Sequence, residues 1–129
     1  MVDTRARHLL VELHGCDRAL LNDAERLRTI MRRAAKAADA TVVAEVVHPY
    51  SPHGVTGVFV IEESHFSLHT WPEIGYAAVD FYTCGELSPE RAAAVLREAL
   101  GAESMRLLLV ERGRPLGEDP FRVLSPAER

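Results

Sequence analysis

Short runs rich in β-branched and aromatic residues recur along the whole sequence, and only two helical segments interrupt them. The runs 41–48 and 55–63 follow the first helical segment, and the runs 65–71 and 75–84 precede the second. Such composition is typical of strands, and consecutive strands with short connections favour antiparallel pairing. The chain therefore predicts an antiparallel sheet. Two more strand-like runs lie near the ends, at 7–14 and 104–112.

The two helical segments have recognisable starts. Asn22 is expected to cap the first, AERLRTIMRRAAKAA, which has one apolar side. The second is expected to begin with Ser88 as the cap and Pro89 in its first turn, and to end before Gly101. The order β-α-β-β then β-β-α-β predicts an α+β two-layer sandwich, an antiparallel sheet with two helices on one face. The segment after residue 112 contains three prolines and is expected to form an irregular tail.

The other face of the predicted sheet has an unusual composition. Side chains alternate along a strand, so both histidines of the run 65–71 lie opposite Phe66 and Leu68. The same alternation places Cys84 with an aspartate and a tyrosine. A mixture of imidazoles, aromatic rings and a thiol is too polar for a hydrophobic core and too apolar for a surface exposed to solvent. We therefore expect this face to meet a second copy of the chain, giving an αββα homodimer that associates sheet to sheet.

Composition restricts the functional class. The 129 residues suffice for a single domain, and a net charge of −4 gives no electrostatic reason to expect nucleic acid or a membrane as a partner. The sequence has no apolar run of the roughly 20 residues needed to span a bilayer and no signal-peptide core at its N-terminus, so a cytoplasmic protein is expected. Lys36 is the only lysine and lies in a charged helical segment, which disfavours pyridoxal-type chemistry. Cys16 is interpreted as structural.

The stretch ESHFSLHTWPEIGYAAVDFYTCG, residues 63–85, resembles the signature of the small prokaryotic S-adenosylmethionine decarboxylases, a pyruvoyl-dependent family. Flanking segments resemble the same family: RHLLVELHGCD at 7–17, GVTGVFVI at 54–61 and LLLVERG at 107–113. A match of about twenty residues within a resemblance that spans most of the chain is highly specific. It implies a decarboxylase that supplies the aminopropyl donor for spermidine and other polyamines.

Self-cleavage is the first consequence of this resemblance. The hydroxyl of Ser64 attacks the carbonyl of Glu63, which converts the amide into an ester, and the ester breaks by β-elimination. The dehydroalanine at residue 64 rearranges and loses ammonia to give a pyruvoyl group, the covalent cofactor. The single domain, 1–129, would thus become a beta chain of residues 1–63 and an alpha chain of residues 64–129. The first step needs a strained or polarised peptide bond and donors for the oxyanion.

The resemblance also implies roles for individual side chains. His69 is the base for processing, and Thr56 is a hydroxyl that assists the ester intermediate. The pyruvoyl ketone forms a Schiff base with the substrate amine and accepts the electrons released with carbon dioxide. Cys84 is the acid that protonates the resulting carbon, a role that suits a thiol because its unperturbed pKa of about 8.5 keeps it largely protonated near neutral pH.

Substrate binding and the composite site are further implications of the family. Tyr50 would stack on the adenine ring, and Glu73 would accept hydrogen bonds from the ribose hydroxyls. The site would lie at a homodimer interface, with the pyruvoyl group and Cys84 from one chain. The other chain would contribute Tyr50, Thr56, His69 and Glu73.

Three other interpretations are considered. In a strand, His65 and His69 are about 13 Å apart, too far for one metal ion, so no metal site is expected. A pyruvoyl-dependent ornithine or arginine decarboxylase could use the same scaffold, but it would have no use for a purine stacker such as Tyr50. The third is a non-processing regulatory subunit, which would be free to lose Ser64, His69 and Cys84.

Overall fold

Seven antiparallel strands form one sheet in the computed structural model, which describes residues 4–84, 86–117 and 121–124. The helices lie against one face of this sheet, so the predicted α+β sandwich is confirmed. The strands are β1 (Ala6–His14), β2 (Thr41–Pro49), β3 (Val55–Glu62), β4 (Ser64–Trp71), β5 (Tyr76–Cys84), β6 (Ser104–Arg112) and β7 (Phe121–Leu124). The helices are α1 (Arg18–Leu21), α2 (Ala24–Ala37) and α3 (Pro89–Leu100), with a short 3-10 helix at Pro72–Ile74.

The strand order is β2-β3-β4-β5-β1-β6-β7, so β4 is an interior strand between β3 and β5. Its register places Thr56 of β3 opposite His69. At the other end of β4, Ser64 lies opposite Thr83 of β5. The two ends of β4 therefore present different residues to different neighbours.

The core lies between the sheet and the helices. Phe59, Phe66 and Phe81 come from three adjacent strands and are fully buried. The Phe66 ring lies 5.9 Å from the ring of Phe59 and 5.0 Å from that of Phe81, measured between centroids. Leu27 and Met31 on the apolar side of α2 belong to the same buried cluster. Burying each such side chain contributes about 1.5–3 kcal/mol, and this packing fixes which face of β4 points away from the helices.

The start of α2 differs from the prediction by one residue. Asp23 caps the helix, because its side-chain oxygen accepts a hydrogen bond from the backbone N–H of Arg26 at 3.1 Å. The side chain of Asn22 instead accepts a hydrogen bond from the backbone N–H of Gly54 at 2.9 Å. The assignment of Asn22 as the cap was wrong, since both residue types can cap a helix and only a long-range contact separates them here.

The second predicted helix begins and ends as expected. Ser88 occupies the cap position of α3, Pro89 is its first residue, and Gly101 ends it with a left-handed φ of 65°. A residue with a Cβ adopts that conformation at a cost, which explains the glycine.

Two elements were not predicted. The helix α1 is a single turn, capped by the side chain of Asp17. The strand β7 pairs with β6 where an irregular tail was expected, so that expectation was wrong for residues 121–124. The run is only four residues long and lies between prolines, so its strand conformation depends on pairing with β6 rather than on local sequence.

The face of the sheet opposite the helices is here called the open face. It carries His65, His69, Val46, Val58 and Val60, and the predicted alternation along β4 is confirmed. The three valines are 64%, 37% and 47% exposed. Among the described helices, none has the length and apolar character needed to cross a membrane.

Candidate active site

One pocket brings together four of the residues singled out in the sequence. Tyr50, Thr56, His69 and Glu73 line a cavity of about 330 Å³ at the junction of the loop 50–54 with β3 and the end of β4. Ligand pockets are typically about 300–1,000 Å³, so this cavity can take part of a nucleoside-sized molecule. The structure therefore groups the two proposed substrate-binding residues with the proposed processing residues.

Thr56 and His69 are in direct contact inside this pocket. The Oγ1 atom of Thr56 lies 3.1 Å from Nδ1 of His69, on paired positions of β3 and β4. This contact orients the imidazole and leaves its Nε2 atom to exchange a proton with another group. The arrangement suits a base that is held by a neighbouring hydroxyl.

The loop before β3 presents Tyr50 to the pocket. The backbone N–H of Tyr50 donates to the carbonyl of Gly54 at 2.8 Å, and the ring of His48 meets the Tyr50 ring edge-on at 4.8 Å between centroids. Gly54 has a φ of 106°, and a Cβ there would lie 3.2 Å from the carbonyl oxygen of Thr70. The loop is therefore fixed, while the tyrosine side of the pocket stays half exposed.

His53 is a pocket residue that the sequence interpretation missed. Its Nε2 atom lies 3.3 Å from Oε2 of Glu73, which also lines the pocket. The contact holds the carboxylate of Glu73 over the cavity. His53 and Glu73 lie on two separate turns, so their contact produces no recognisable pattern in the sequence. Only the folded chain reveals it.

Ser64 begins β4 in a strained backbone conformation. Its φ is 121°, a region that residues with a side chain seldom adopt and that costs about 1–3 kcal/mol. Glu63, the preceding residue, is exposed between β3 and β4. The strained torsion thus directly follows the peptide bond that the sequence interpretation assigned to cleavage.

Cys84 lies on the strand next to Ser64. Because Ser64 is paired with Thr83, the following residue of β5 is Cys84, which is partly exposed. The other cysteine is different: Cys16 is buried, and burial raises the pKa of its thiol to about 11. That burial agrees with its interpretation as a structural residue.

The two groups of site residues lie at opposite ends of β4. Ser64 and His69 are five residues apart in one continuous strand, which is about 16 Å at about 3.3 Å per residue. Within one chain, the structure therefore does not bring the proposed base to the proposed cleavage site. Cys84 is at the Ser64 end, and the pocket is at the other.

A polar cluster without an assigned role also lies on the open face, beginning one residue after Ser64. It consists of His8, His65, Ser67 and Asp80 and is here called the Asp80 cluster. The Oδ2 atom of Asp80 lies 2.6 Å from Nε2 of His8 and 3.1 Å from Nε2 of His65, and its Oδ1 atom accepts a hydrogen bond from Ser67. Burial alone would raise the pKa of Asp80, but the hydrogen bonds from Ser67, His8 and His65 outweigh it and hold that pKa below its usual value.

The Asp80 cluster is also the place to consider for a metal ion. The ligand atoms of His8, His65 and Asp80 all lie within 4.8 Å of one another. Both oxygens of Asp80, however, already accept hydrogen bonds from these residues and Ser67.

The sequence could have revealed only part of the Asp80 cluster. Alternation along the strands could have grouped His65 with Asp80, but the position of His8 depends on how β1 pairs with β5.

The sequence of residues 7–113 matches the model of a known family, described as S-adenosylmethionine decarboxylase. The chain belongs to the S-adenosylmethionine decarboxylase family. The resemblance seen in residues 63–85 is thereby confirmed. The match covers every strand of the site described above, from β1 to β6.

Individual relatives agree with the family assignment. The S-adenosylmethionine decarboxylase proenzyme of Prochlorococcus marinus (strain MIT 9313) is 48% identical over 110 residues, 84% of this chain and 88% of that protein. The proenzyme of the same name from Caldicellulosiruptor saccharolyticus is 48% identical over 120 residues, 92% of this chain and 95% of that protein. The crystal structure of the adenosylmethionine decarboxylase from Aquifex aeolicus matches with a TM-score of 0.79 at 35% identity, covering 92% of this chain and 98% of that one.

Proposed function

We propose that this protein is a self-processing, pyruvoyl-dependent S-adenosylmethionine decarboxylase that supplies the aminopropyl donor for spermidine and other polyamines. One observation carries the proposal within the family: Ser64 combines a nucleophilic hydroxyl with a strained backbone, and the residue paired with it on β5, Thr83, directly precedes Cys84. The relatives named above are called proenzymes, a name that agrees with a chain that must be processed.

The residues around Ser64 fit the formation of a pyruvoyl group. The Ser64 hydroxyl oxygen bonds to the carbonyl carbon of Glu63 as the bond to the Ser64 nitrogen breaks, which gives an ester with a free amine. Loss of the Cα proton of residue 64 then expels the Glu63 carboxylate and leaves a dehydroalanine. Water replaces its nitrogen, which leaves as ammonia. Backbone strain at a φ of 121° favours the first step, because breaking the peptide bond releases it.

The group formed at residue 64 supplies a ketone that condenses with the substrate amine and accepts the electron pair released with carbon dioxide. The thiol of Cys84 lies on β5, one residue after Thr83, the residue that is paired with Ser64. A thiol at this place can deliver its proton to the substrate carbon that has lost its carboxylate. Ser64 and Cys84 thus form the reactive end of the site.

The pocket at the other end of β4 suits the nucleoside part of S-adenosylmethionine. Tyr50 offers an aromatic ring for stacking on adenine, a contact worth about 0.5–1.5 kcal/mol beyond the area that it buries. Glu73, held by His53 at 3.3 Å, offers carboxylate oxygens to the ribose hydroxyls. Ornithine and arginine have neither a purine ring for Tyr50 to stack on nor ribose hydroxyls for Glu73 to bind.

The distance along β4 supports a homodimer with shared active sites. One chain keeps Ser64 about 16 Å from His69, so a complete site needs the reactive end of one protomer and the pocket of another. The open face is the surface that carries His69 and three partly exposed valines, and a second copy with the same face would cover them. In this dimer, His69 and Thr56 of one protomer would assist the processing of residue 64 of the other.

The decisive experiment is the intact mass of the purified protein with denaturing electrophoresis. The wild-type protein should give chains of residues 1–63 and 64–129, and borohydride should add two hydrogen atoms to the second by reducing its ketone. Ser64→Ala should leave one chain of 14.3 kDa. Ser104→Ala, at the exposed start of β6, is the matched control and should be cut normally.

Assays of carbon dioxide release then identify the substrate. The proposed function predicts release from S-adenosylmethionine by the cut protein. An active preparation that remained uncut would refute self-processing. Release from ornithine or arginine, but not from S-adenosylmethionine, would refute the substrate assignment.

A further inference from the structure

We propose that the Asp80 cluster anchors the new chain end after cleavage and so keeps residue 64 in its place on the sheet, next to the strand that carries Cys84. This inference rests on the proposed function, because it concerns the chain end that cleavage at residue 64 creates. The cluster would position a reactive group without touching the substrate. Its members lie one to three residues from the cleavage site on β4, and on β1 and β5.

Cleavage removes the covalent link that holds the start of β4 to the rest of the chain. In the uncut chain, Glu63 joins Ser64 directly to the end of β3. After cleavage, Ser64 becomes a chain end that is held only by its pairing with β3 and β5. Chain ends open at a free-energy cost near zero unless contacts tie them down. A misplacement of about 1 Å can slow a reaction about 100-fold, so the new end needs an anchor.

His65 is in the right place to provide that anchor. It is the first residue after the new end, and its Nε2 atom lies 3.1 Å from Oδ2 of Asp80 on β5. The His65 ring also lies 5.8 Å from the ring of His8 and 5.6 Å from the ring of Tyr82, measured between centroids. The side chain is therefore held from both β1 and β5.

The Asp80 cluster connects the two products of cleavage. His65, Ser67 and Asp80 belong to the chain that starts at residue 64, whereas His8 belongs to the chain of residues 1–63. The 2.6 Å contact between His8 and Asp80 is therefore a contact between the two chains after cleavage. Arg112 supports the Tyr82 ring, which packs against His65, because its guanidinium carbon lies 4.6 Å from the centre of that ring.

The charge of Asp80 makes these contacts strong. Its half-buried carboxylate is kept ionised by the hydrogen bonds that it accepts, and hydrogen bonds to a charged group are about twice as strong as neutral ones. Replacing Asp80 by Asn keeps the size of the side chain and removes this charge. The substitution therefore tests the anchor with little change in packing.

The experiment compares Asp80→Asn in two backgrounds by hydrogen exchange measured by mass spectrometry. In the cut protein, we expect exchange of the peptide 64–71 to become about tenfold faster, as for the loss of one hydrogen bond to a charged group. In the uncut Ser64→Ala protein, the bond to Glu63 still holds the strand, and exchange should change less than about twofold. The cut variant should also keep its substrate KM and lose kcat. Asp39→Asn, on an exposed turn, is the control and should change neither measurement.

Each outcome decides the proposal. Equal acceleration in the cut and uncut proteins would show an ordinary structural contact and overturn the anchor, as would unchanged exchange in both. If Asp80→Asn does not fold, His8→Gln makes the same comparison, because it removes the contact between the two products and leaves the carboxylate. A wild-type protein that is never cut would overturn both the proposed function and the anchor, and electrophoresis detects this before exchange is measured.

Discussion

The Oγ1 atom of Thr56 lies 3.1 Å from the Nδ1 atom of His69, on paired positions of β3 and β4. This hydroxyl fixes the rotation of the His69 ring, which lines the pocket from β4. The geometry links a residue proposed to assist cleavage to the residue proposed as its base. Both can therefore be tested through the rate of cleavage.

Replacing Thr56 should slow self-processing. In Thr56→Val, the imidazole of His69 loses its hydrogen-bond partner, and a net loss of about 1 kcal/mol corresponds to cleavage that is roughly fivefold to tenfold slower. Thr56→Ser keeps the hydroxyl and should cleave at nearly the wild-type rate. A time course of denaturing electrophoresis measures both rates. Equal rates for the Val and wild-type proteins would remove Thr56 from the processing machinery.

Replacing Cys84 should separate cleavage from turnover. Cys84→Ala keeps Ser64 and its strained backbone, so most of the protein should still be cut. Turnover should fall about 100-fold or more, the usual effect of losing a general acid. Steady-state release of carbon dioxide measures it, and Cys16→Ala serves as the comparison because that thiol is buried in the core and does not line the pocket. Normal turnover by Cys84→Ala would disprove its role as the acid.

Replacing Glu73 should weaken substrate binding. Glu73→Gln removes the charge that would accept hydrogen bonds from the ribose, so the KM for S-adenosylmethionine should rise about tenfold, as expected for roughly 1.4 kcal/mol. Cleavage should be unaffected. The control is Glu98→Gln on the exposed side of α3. A KM that does not change would place the ribose elsewhere.

The two thiols should differ in reactivity. Burial raises the pKa of Cys16 to about 11, and the thiolate is the reactive form, so Cys16 should resist iodoacetamide in the folded protein at mildly alkaline pH. The Cys84→Ala variant isolates this thiol. Its labelling should begin only when urea unfolds the chain, as measured by mass. Rapid labelling of the folded variant would show that Cys16 is not in a closed core.

Acid should remove the stabilising effect of Asp80. Its pKa is lowered in the folded protein, so its contribution is complete above the unfolded value of about 3.9 and is lost as the pH falls through the lower, folded value. At neutral pH, the cut Asp80→Asn protein should therefore unfold at a lower urea concentration than the cut wild-type protein. The difference should shrink with acidification, because a protonated aspartate resembles asparagine. A difference that stays constant down to the acid limit would contradict this account.

The predicted strands and the two longer helices agree with the structure because their signals are local. Alternation along β4 separates Phe66 and Leu68 from His65 and His69, and the structure keeps that division. The predicted cap of α2 was wrong, because Asn22 and Asp23 are adjacent and both residue types can cap a helix. The strand β7 was missed, because a four-residue run between prolines becomes a strand only by pairing with β6.

The sequence by itself determined the fold class and the family, because periodicity and a long continuous motif are properties of neighbouring residues. Only the tertiary structure decided which groups meet. Strand pairing brings Thr56 to His69 and His8 to Asp80, and it keeps Ser64 and His69 at opposite ends of β4. These relations depend on register between distant segments, and register is set by how the whole sheet packs against its helices.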